Sequence, residues 1–311
     1  MSETDVTRTK AWLMAARPQT LPVGVSPIIV GTGLALHDGV FEPLPAFAAL
    51  LGALLIQIGT NFANDYFDAV KGTDTDEREG FTRVTQSGLI QPAEVKRAMY
   101  LTFAVAILTG VYLVYIGGLP ILVVGLSSVA AGLLYTGGPY PYGYRGLGDL
   151  FVFVFFGLVA VTGTYYVQAV AVMAQPLSLT IPPETITGMV VAASLPAAGL
   201  ATAVLVVNNI RDRETDAKTG KRTLVVLLGY RWSRVEFLLL VGLAYAIPCA
   251  FAIVGYGLPV LLPLLTLPFA VSLSRTVLTE TSGAALNPAL ETTGKLLAAH
   301  SVLFAIGLAF G

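Results

Sequence analysis

Cysteine is almost absent from this chain of 311 residues. Cys249 is the single one, it sits inside an apolar run, and an internal disulfide is therefore impossible. No Cys/His spacing suits zinc, and no glycine-rich dinucleotide fingerprint is present. Charge is scarce too. Only 12% of residues are Asp, Glu, Lys or Arg, against 55% hydrophobic; a soluble domain of this length carries about twice that charge fraction. With a mean hydropathy of +0.75, this composition excludes an ordinary water-soluble fold and belongs to a membrane protein. The stretch Met1 to Arg17 is polar and lacks the short apolar core and small-residue cleavage site of a secretory signal, so the first helix is expected to remain as an anchor.

What the chain has instead is apolar length. A bilayer crossing needs about 20 mostly apolar residues, and segments 18–36, 44–67, 97–117, 119–136, 149–173, 186–210, 235–255, 257–277 and 294–310 satisfy that. The predicted fold is all-α: a single polytopic membrane domain over residues 1–311, with about nine transmembrane helices. The third and fourth spans meet at Gly117-Gly118-Leu-Pro120, and the seventh and eighth at Gly255-Tyr-Gly257-Leu-Pro259, both of which read as tight turns.

Basic residues are missing from one whole side. If the amino terminus is cytoplasmic, the N-terminal tail and the loops after spans 2, 4, 6 and 8 receive all 18 Lys and Arg residues, and the opposite loops receive none. The positive-inside rule then predicts an integral cell-membrane protein with its amino terminus and long polar loops in the cytoplasm and its carboxyl terminus outside.

Two acidic clusters lie at helix ends on that face: Asn61-Phe-Ala-Asn64-Asp65-Tyr-Phe-Asp68, within motif 61–74, and Asn208-Asn209-Ile-Arg211-Asp212-Arg-Glu-Thr-Asp216, within motif 208–222. Each leads into a predicted cytoplasmic loop, 68–96 or 211–234. Residues three and four apart share a helix face. Gln57, Asn61, Asn64/Asp65 and Asp68 therefore form one polar stripe, and Asn208, Asp212 and Asp216 form another. Facing each other, the stripes would make an oxygen-rich pocket of the kind that Mg²⁺ shares with substrate phosphates. Lys71 and Arg78 follow the first cluster; Lys218, Lys221 and Arg222 follow the second. Carboxylates for a metal beside cations for an anion suit a diphosphate.

Several stretches occur in order: Arg17-Pro-Gln-Thr-Leu-Pro22, Asn64-Asp-Tyr-Phe-Asp68 running to Lys71-Gly-Thr-Asp74, Thr85-Gln-Ser-Gly88, Tyr135-Thr-Gly-Gly138, Arg145-Gly-Leu-Gly-Asp149, and Asn208-Asn-Ile-Arg-Asp212 through Asp216 to Gly220-Lys-Arg-Thr-Leu224. On these the chain resembles the UbiA-type intramembrane aromatic prenyltransferases. The carboxyl-terminal third matches mainly in helix count and in Leu286-Asn-Pro288. The resemblance implies a nine-helix bundle around a central cavity, with Mg²⁺ held by Asn64, Asp68, Asp212 and Asp216. Asp65 and Asn208 would support them, and Asp65 is the candidate general base. It further implies that Arg17 lines the cavity and that Arg145 approaches the diphosphate or the aromatic acid. The first motif departs from many family members, which carry another Asp where this chain has Gly72; either Asp74 substitutes or the first motif holds the metal through fewer ligands.

The implied reaction moves a polyprenyl group from its diphosphate to 1,4-dihydroxy-2-naphthoate, with loss of CO₂ and diphosphate. The expected partners are a polyprenyl diphosphate, an aromatic acid acceptor and the lipid bilayer, with no nucleic acid and no obligate protein partner. Another acceptor (4-hydroxybenzoate, homogentisate or a lipid glycerol phosphate) is the alternative on the same scaffold. An ion-coupled transporter is a distant one, because it would place acids near the bilayer midplane. Tyr165, Tyr166 and Gln168, within the fifth span, read as packing groups with satisfied polar ends, with contact to substrate as the alternative, and His37 and His300 read as structural.

Overall fold

In this computed structural model, residues 6–73, 80–173 and 176–311 are described. Among them the chain is helical throughout, with no strand. A membrane leaves little choice, because backbone N–H and C=O groups without water must be satisfied within the helix itself. The helices are α1 (Arg8–Ala16), α2 (Leu21–His37), α3 (Pro43–Lys71), α4 (Pro92–Leu134), α5 (Gly148–Val152), α6 (Ala160–Val172), α7 (Gly188–Lys218), α8 (Leu224–Ile253), α9 (Leu267–Thr279) and α10 (Gly283–Ala309). A π-helical stretch, Phe153–Val159, joins α5 to α6, and a 3-10 stretch, Leu258–Thr266, leads into α9.

Eight of these helical stretches are long and apolar enough to cross a bilayer. One of them, α4, has 43 residues. At 1.5 Å per residue it would be about 65 Å long, roughly twice the hydrocarbon thickness. It does not run straight. Gly118, at φ 66° and ψ −152°, breaks it into two helices, so the eight stretches make the nine crossings that the sequence predicts.

Polar ends are more helical than the sequence suggests. α3 continues through the first acidic cluster to Lys71, and α7 continues through the second to Lys218. α8 then starts at Leu224, with a second glycine break at Gly229, so the predicted loop 211–234 shrinks to residues 219–223. Each acidic motif is consequently held on a continuous rod rather than on a mobile loop.

The bundle is organised around α7, the most buried of the crossings. Its sequence Ala192-Ala-Ser-Leu-Pro-Ala-Ala-Gly-Leu-Ala201 is rich in small side chains, and lipid offers no hydrophobic drive for helix association, so close approach and dispersion hold such helices together. The π-helical stretch touches α7 where Gly157 meets Ala198; a Cβ on Gly157 would lie 2.0 Å from the Ala198 Cβ. The groups that the sequence marks as packing behave so. Tyr165 donates to Asp38, Tyr166 donates to the Gly117 carbonyl, and Gln168 is wholly buried with its amide on the Thr164 carbonyl. His300 is also buried, one ring nitrogen on the Ala244 carbonyl.

Gly118 is where the backbone has least freedom. Its φ is positive, and a Cβ there would lie 1.9 Å from the Ser178 carbonyl oxygen. Gly118→Ala is expected to destabilise the detergent-solubilised protein by about 2–3 kcal/mol, read as a lowered thermal midpoint. Gly242→Ala, where a Cβ meets nothing within 4 Å, is expected to leave it unchanged or slightly raised.

Candidate active site

The ends of α3 and α7 face each other across the mouth of a cavity of about 490 Å³. Its deeper wall is apolar, from α2, α3, both halves of α4, the π-helical stretch and α6. Its mouth carries Arg17, Asn64, Asp68, Arg83, Asn208, Asp212, Asp216 and Lys221.

Asp68 is 2% exposed and crowded with donors. Arg83 donates to it at 3.1 Å, Tyr144 donates a short hydrogen bond, and Thr73 Oγ1 lies 3.3 Å away. Lys221 Nζ sits 3.8 Å from Asp68 and 3.7 Å from Asp216, and so bridges the two motifs. Its ammonium also faces the Tyr144 ring, 5.0 Å from the centroid. Asp212 is gripped by its neighbour: Arg211 Nε and a terminal nitrogen reach the two carboxylate oxygens at 2.8 Å each. The same guanidinium reaches Asn208 at 2.8 Å and Asn287 of α10 at 2.9 Å. Bidentate grips of this kind hold geometry as well as charge.

Asp65 points elsewhere. It does not line the cavity, is 2% exposed, and accepts from both the backbone N–H and the hydroxyl of Thr85. Together with Arg83 on Asp68, this latches residues 80–91 over the end of α3. The cause is helical geometry, since consecutive residues differ by about 100° in direction; if Asn64 and Asp68 face the cavity, Asp65 cannot do so fully. Upstream, Asn61 donates to the Ala16 carbonyl and to Thr20, and Gln57 donates to Thr20. These amides clip the α1–α2 joint, where Arg17 adopts φ 52° and ψ 70° immediately before Pro18. That left-handed turn, costly for a non-glycine residue, puts Arg17 on the cavity wall.

The cations expected at the diphosphate separate into two groups. Arg17 and Lys221 line the cavity. Lys71 does not; it caps the Thr136 carbonyl and rests over the Tyr144 and Phe67 rings. Arg145 is exposed and stacks on Tyr140, Lys218 is exposed, and the Arg222 side chain is exposed while its backbone N–H donates to the Tyr144 carbonyl. Arg78 and Asp74 lie outside the described residues. Sequence reasoning missed Arg83, Tyr144, Tyr135 and Thr136. Thr136 donates to Asn64 at 2.9 Å. Burial, followed by the charge of Asp149, holds the Tyr135 phenol well above the usual tyrosine range, and burial does the same for Tyr142. Both are protonated donors at neutral pH.

Charge at the mouth is balanced. Asp68, Asp212 and Asp216 stand against Arg17, Arg83 and Lys221. A multiply charged anion entering such a site needs accompanying cations. The oxygens that suit a hard divalent ion are those of Asn64, Asp68, Asn208, Asp212 and Asp216. Among the described residues no three acidic, His or Cys side chains converge tightly enough to enclose an ion by themselves. Mg²⁺ keeps water or substrate phosphate in much of its shell and takes one or two protein carboxylates.

A sequence model of the UbiA prenyltransferase family matches residues 24–288. The 1,4-dihydroxy-2-naphthoate octaprenyltransferase of Escherichia coli (strain K12) is 40% identical over 315 residues, covering 99% of this chain and 98% of that protein. The protein of the same description from Mycobacterium tuberculosis is 37% identical, covering 96% and 97%. In fold, the chain is similar to a UbiA homologue from Archaeoglobus fulgidus bound to DMAPP and Mg²⁺, with a TM-score of 0.59 at 15% identity over 95% of this chain and 99% of that one. With its polar helix ends gathered over an apolar intramembrane cavity and its sequence matched over most of its length, this chain belongs to the UbiA prenyltransferase family.

Proposed function

We propose that this integral membrane protein transfers a polyprenyl group from polyprenyl diphosphate to 1,4-dihydroxy-2-naphthoate, releasing CO₂ and diphosphate and forming demethylmenaquinol. One observation carries the reading: two acidic helix ends and a bridging lysine cap an apolar cavity inside the membrane. The full-length similarity to 1,4-dihydroxy-2-naphthoate octaprenyltransferases supports the acceptor.

The diphosphate belongs at the mouth, between α3 and α7. Mg²⁺ bound there through Asn64, Asp68, Asp212 and Asp216, with Asn208 in support, would neutralise charge on the departing diphosphate. Arg17, Arg83 and Lys221 are placed to donate charge-assisted hydrogen bonds to its oxygens, which gain charge as the allylic C–O bond breaks. Fixed donors aimed at developing charge are usually the largest catalytic contribution. The reading gives Lys71, Arg145, Lys218 and Arg222 the lesser task of holding the loops and of making the cytoplasmic rim positive. Arg78 remains a candidate for the diphosphate. The apolar wall keeps water from the electrophilic prenyl carbon.

A polyprenyl tail needs a way out. Ile107, Val111, Leu122 and Leu126 of α4 line the cavity and are 48%, 61%, 39% and 57% exposed. The tail leaves between these residues into the acyl chains. The one-sided distribution of Lys and Arg supports a mouth that faces the cytoplasm.

Purified protein is expected to turn over 1,4-dihydroxy-2-naphthoate with a polyprenyl diphosphate only when a divalent cation is supplied, with CO₂ and diphosphate released in equal amounts; turnover of 4-hydroxybenzoate in its place would overturn the acceptor. Asp68→Ala and Asp212→Ala are each expected to lower kcat about 1,000-fold or more in protein that remains folded at the assay temperature, with a thermal midpoint lowered by the loss of a buried ion pair; full activity in either removes the metal-diphosphate site. Asp65→Asn is expected to act differently, raising the KM for the prenyl diphosphate and exposing residues 80–91 to proteolysis, because it loosens the Thr85 latch.

A further inference from the structure

Below its charged mouth the cavity is lined by few polar side chains, and most of them are committed within the protein. Thr60, Ser128, Thr164 and Tyr142 give their hydroxyl protons to the backbone carbonyls of Ile56, Val124, Ala160 and Ala131. Gln57 of α3 is different. It lines the same cavity and is 6% exposed, yet among the described residues nothing donates to its Oε1. A buried acceptor left without a donor is costly and uncommon.

The surrounding hydrogen bonds fix which end of that amide is left over. Thr20 has one hydroxyl proton and donates it to the Arg17 carbonyl at 3.0 Å. Its oxygen therefore accepts, from Asn61 Nδ2 at 3.0 Å and from Gln57 Nε2 at 3.2 Å. With the nitrogen of Gln57 turned to Thr20, the oxygen is the end without a partner. Asn61 Nδ2 also donates to the Ala16 carbonyl at 2.9 Å, which holds the α1–α2 joint and Thr20 in place. The 3.2 Å bond is at the long end of the normal range, and the last torsion of a glutamine is broad. The amide can therefore tip toward a donor in the cavity.

Register along α3 indicates what that donor is. Gln57 precedes Asn64 by seven residues, so the two share a face and stand about 10 Å apart along the helix. With the diphosphate at Asn64 and Asp68, the prenyl C1 comes next below, followed by the attacking ring carbon, roughly 3–3.5 Å from C1 before reaction. The far hydroxyl of the ring then falls at the level of Gln57. A prenyl chain carries no donor and an ionised diphosphate offers acceptors, so the phenolic O–H of the acceptor is the group that fits.

We infer that Gln57 is a specificity-determining residue for the acceptor: its Oε1 accepts a hydrogen bond from the 4-hydroxyl of dihydroxynaphthoate, while Thr20 and Asn61 position its amide. This rests on the acceptor proposed above. A ring without that hydroxyl leaves the oxygen buried and unpaired, and a site of that kind discriminates strongly against the analogue that lacks the donor.

Equilibrium dialysis of the purified full-length protein under nitrogen, with Mg²⁺ and inorganic diphosphate filling the mouth, tests the contact. The two ligands are 1,4-dihydroxy-2-naphthoate and 1-hydroxy-2-naphthoate, which differ only in the 4-hydroxyl. Wild type is expected to bind the first about tenfold more tightly. Gln57→Met and Gln57→Leu, which keep an apolar side chain but no amide, are each expected to bring the two affinities within about twofold. Both ligands are measured on one preparation, so partial unfolding lowers both alike and leaves their ratio readable. In turnover, Gln57→Met is expected to raise the KM for dihydroxynaphthoate and to leave the KM for the prenyl diphosphate unchanged. A wild-type ratio near one, or a tenfold ratio that survives in both variants while both ligands weaken equally, overturns the inference and leaves the reaction standing. Wild-type protein that turns over no dihydroxynaphthoate overturns the acceptor and the inference with it.

Discussion

One ammonium group, that of Lys221, stands between carboxylates from two helices that are far apart in sequence, and the site is organised about that contact. Asp68 ends α3 and Asp216 lies near the end of α7, each under 4 Å from the same nitrogen. Brought together without a cation, two buried carboxylates would repel across a low dielectric, and removing one partner from a buried pair typically costs about 3–5 kcal/mol. With Lys221 between them the two helix ends converge. The same electrostatics welcomes a divalent ion and a diphosphate, which supply more positive charge and accept the lysine and arginine donors in return.

The rest of the bundle makes that convergence possible. Small residues along α7 let the π-helical stretch, α8 and α10 approach it closely, and the break at Gly118 folds α4 into two crossings that wall the cavity against α3. The left-handed turn at Arg17, held by Asn61 and Thr20, swings a third element to the mouth. Arg211 ties Asn208 and Asp212 to Asn287, so the carboxyl-terminal third is joined to the site through α10 rather than serving as a detached anchor.

Much of this is legible in the sequence. The nine crossings follow from apolar length, the hairpins from Gly-Gly-Leu-Pro and Gly-Tyr-Gly-Leu-Pro, and the two acidic stripes from helical spacing. The helices reach further than their charged ends suggest, because a helix of α7's length carries its polar end well beyond the hydrocarbon. Residue roles inside the motifs were less accessible. Asp65 and Asp68 look equivalent on paper, yet Asp65 latches Thr85. Arg83 sits in a polar loop with no periodic signal, so nothing in the sequence points it at Asp68.

The amino-acid sequence by itself determines that the protein is a polytopic helical membrane protein with oxygen-rich helix ends on one face, since hydropathy, length and the sidedness of Lys and Arg are local properties that a bilayer sorts directly. Only the tertiary structure decides which of the charges meet. Whether a carboxylate is bridged to a second helix, as Asp68 is, or latches a loop, as Asp65 does, depends on distances of a few ångströms between segments remote in sequence. Coulomb and hydrogen-bond energies change over that same scale.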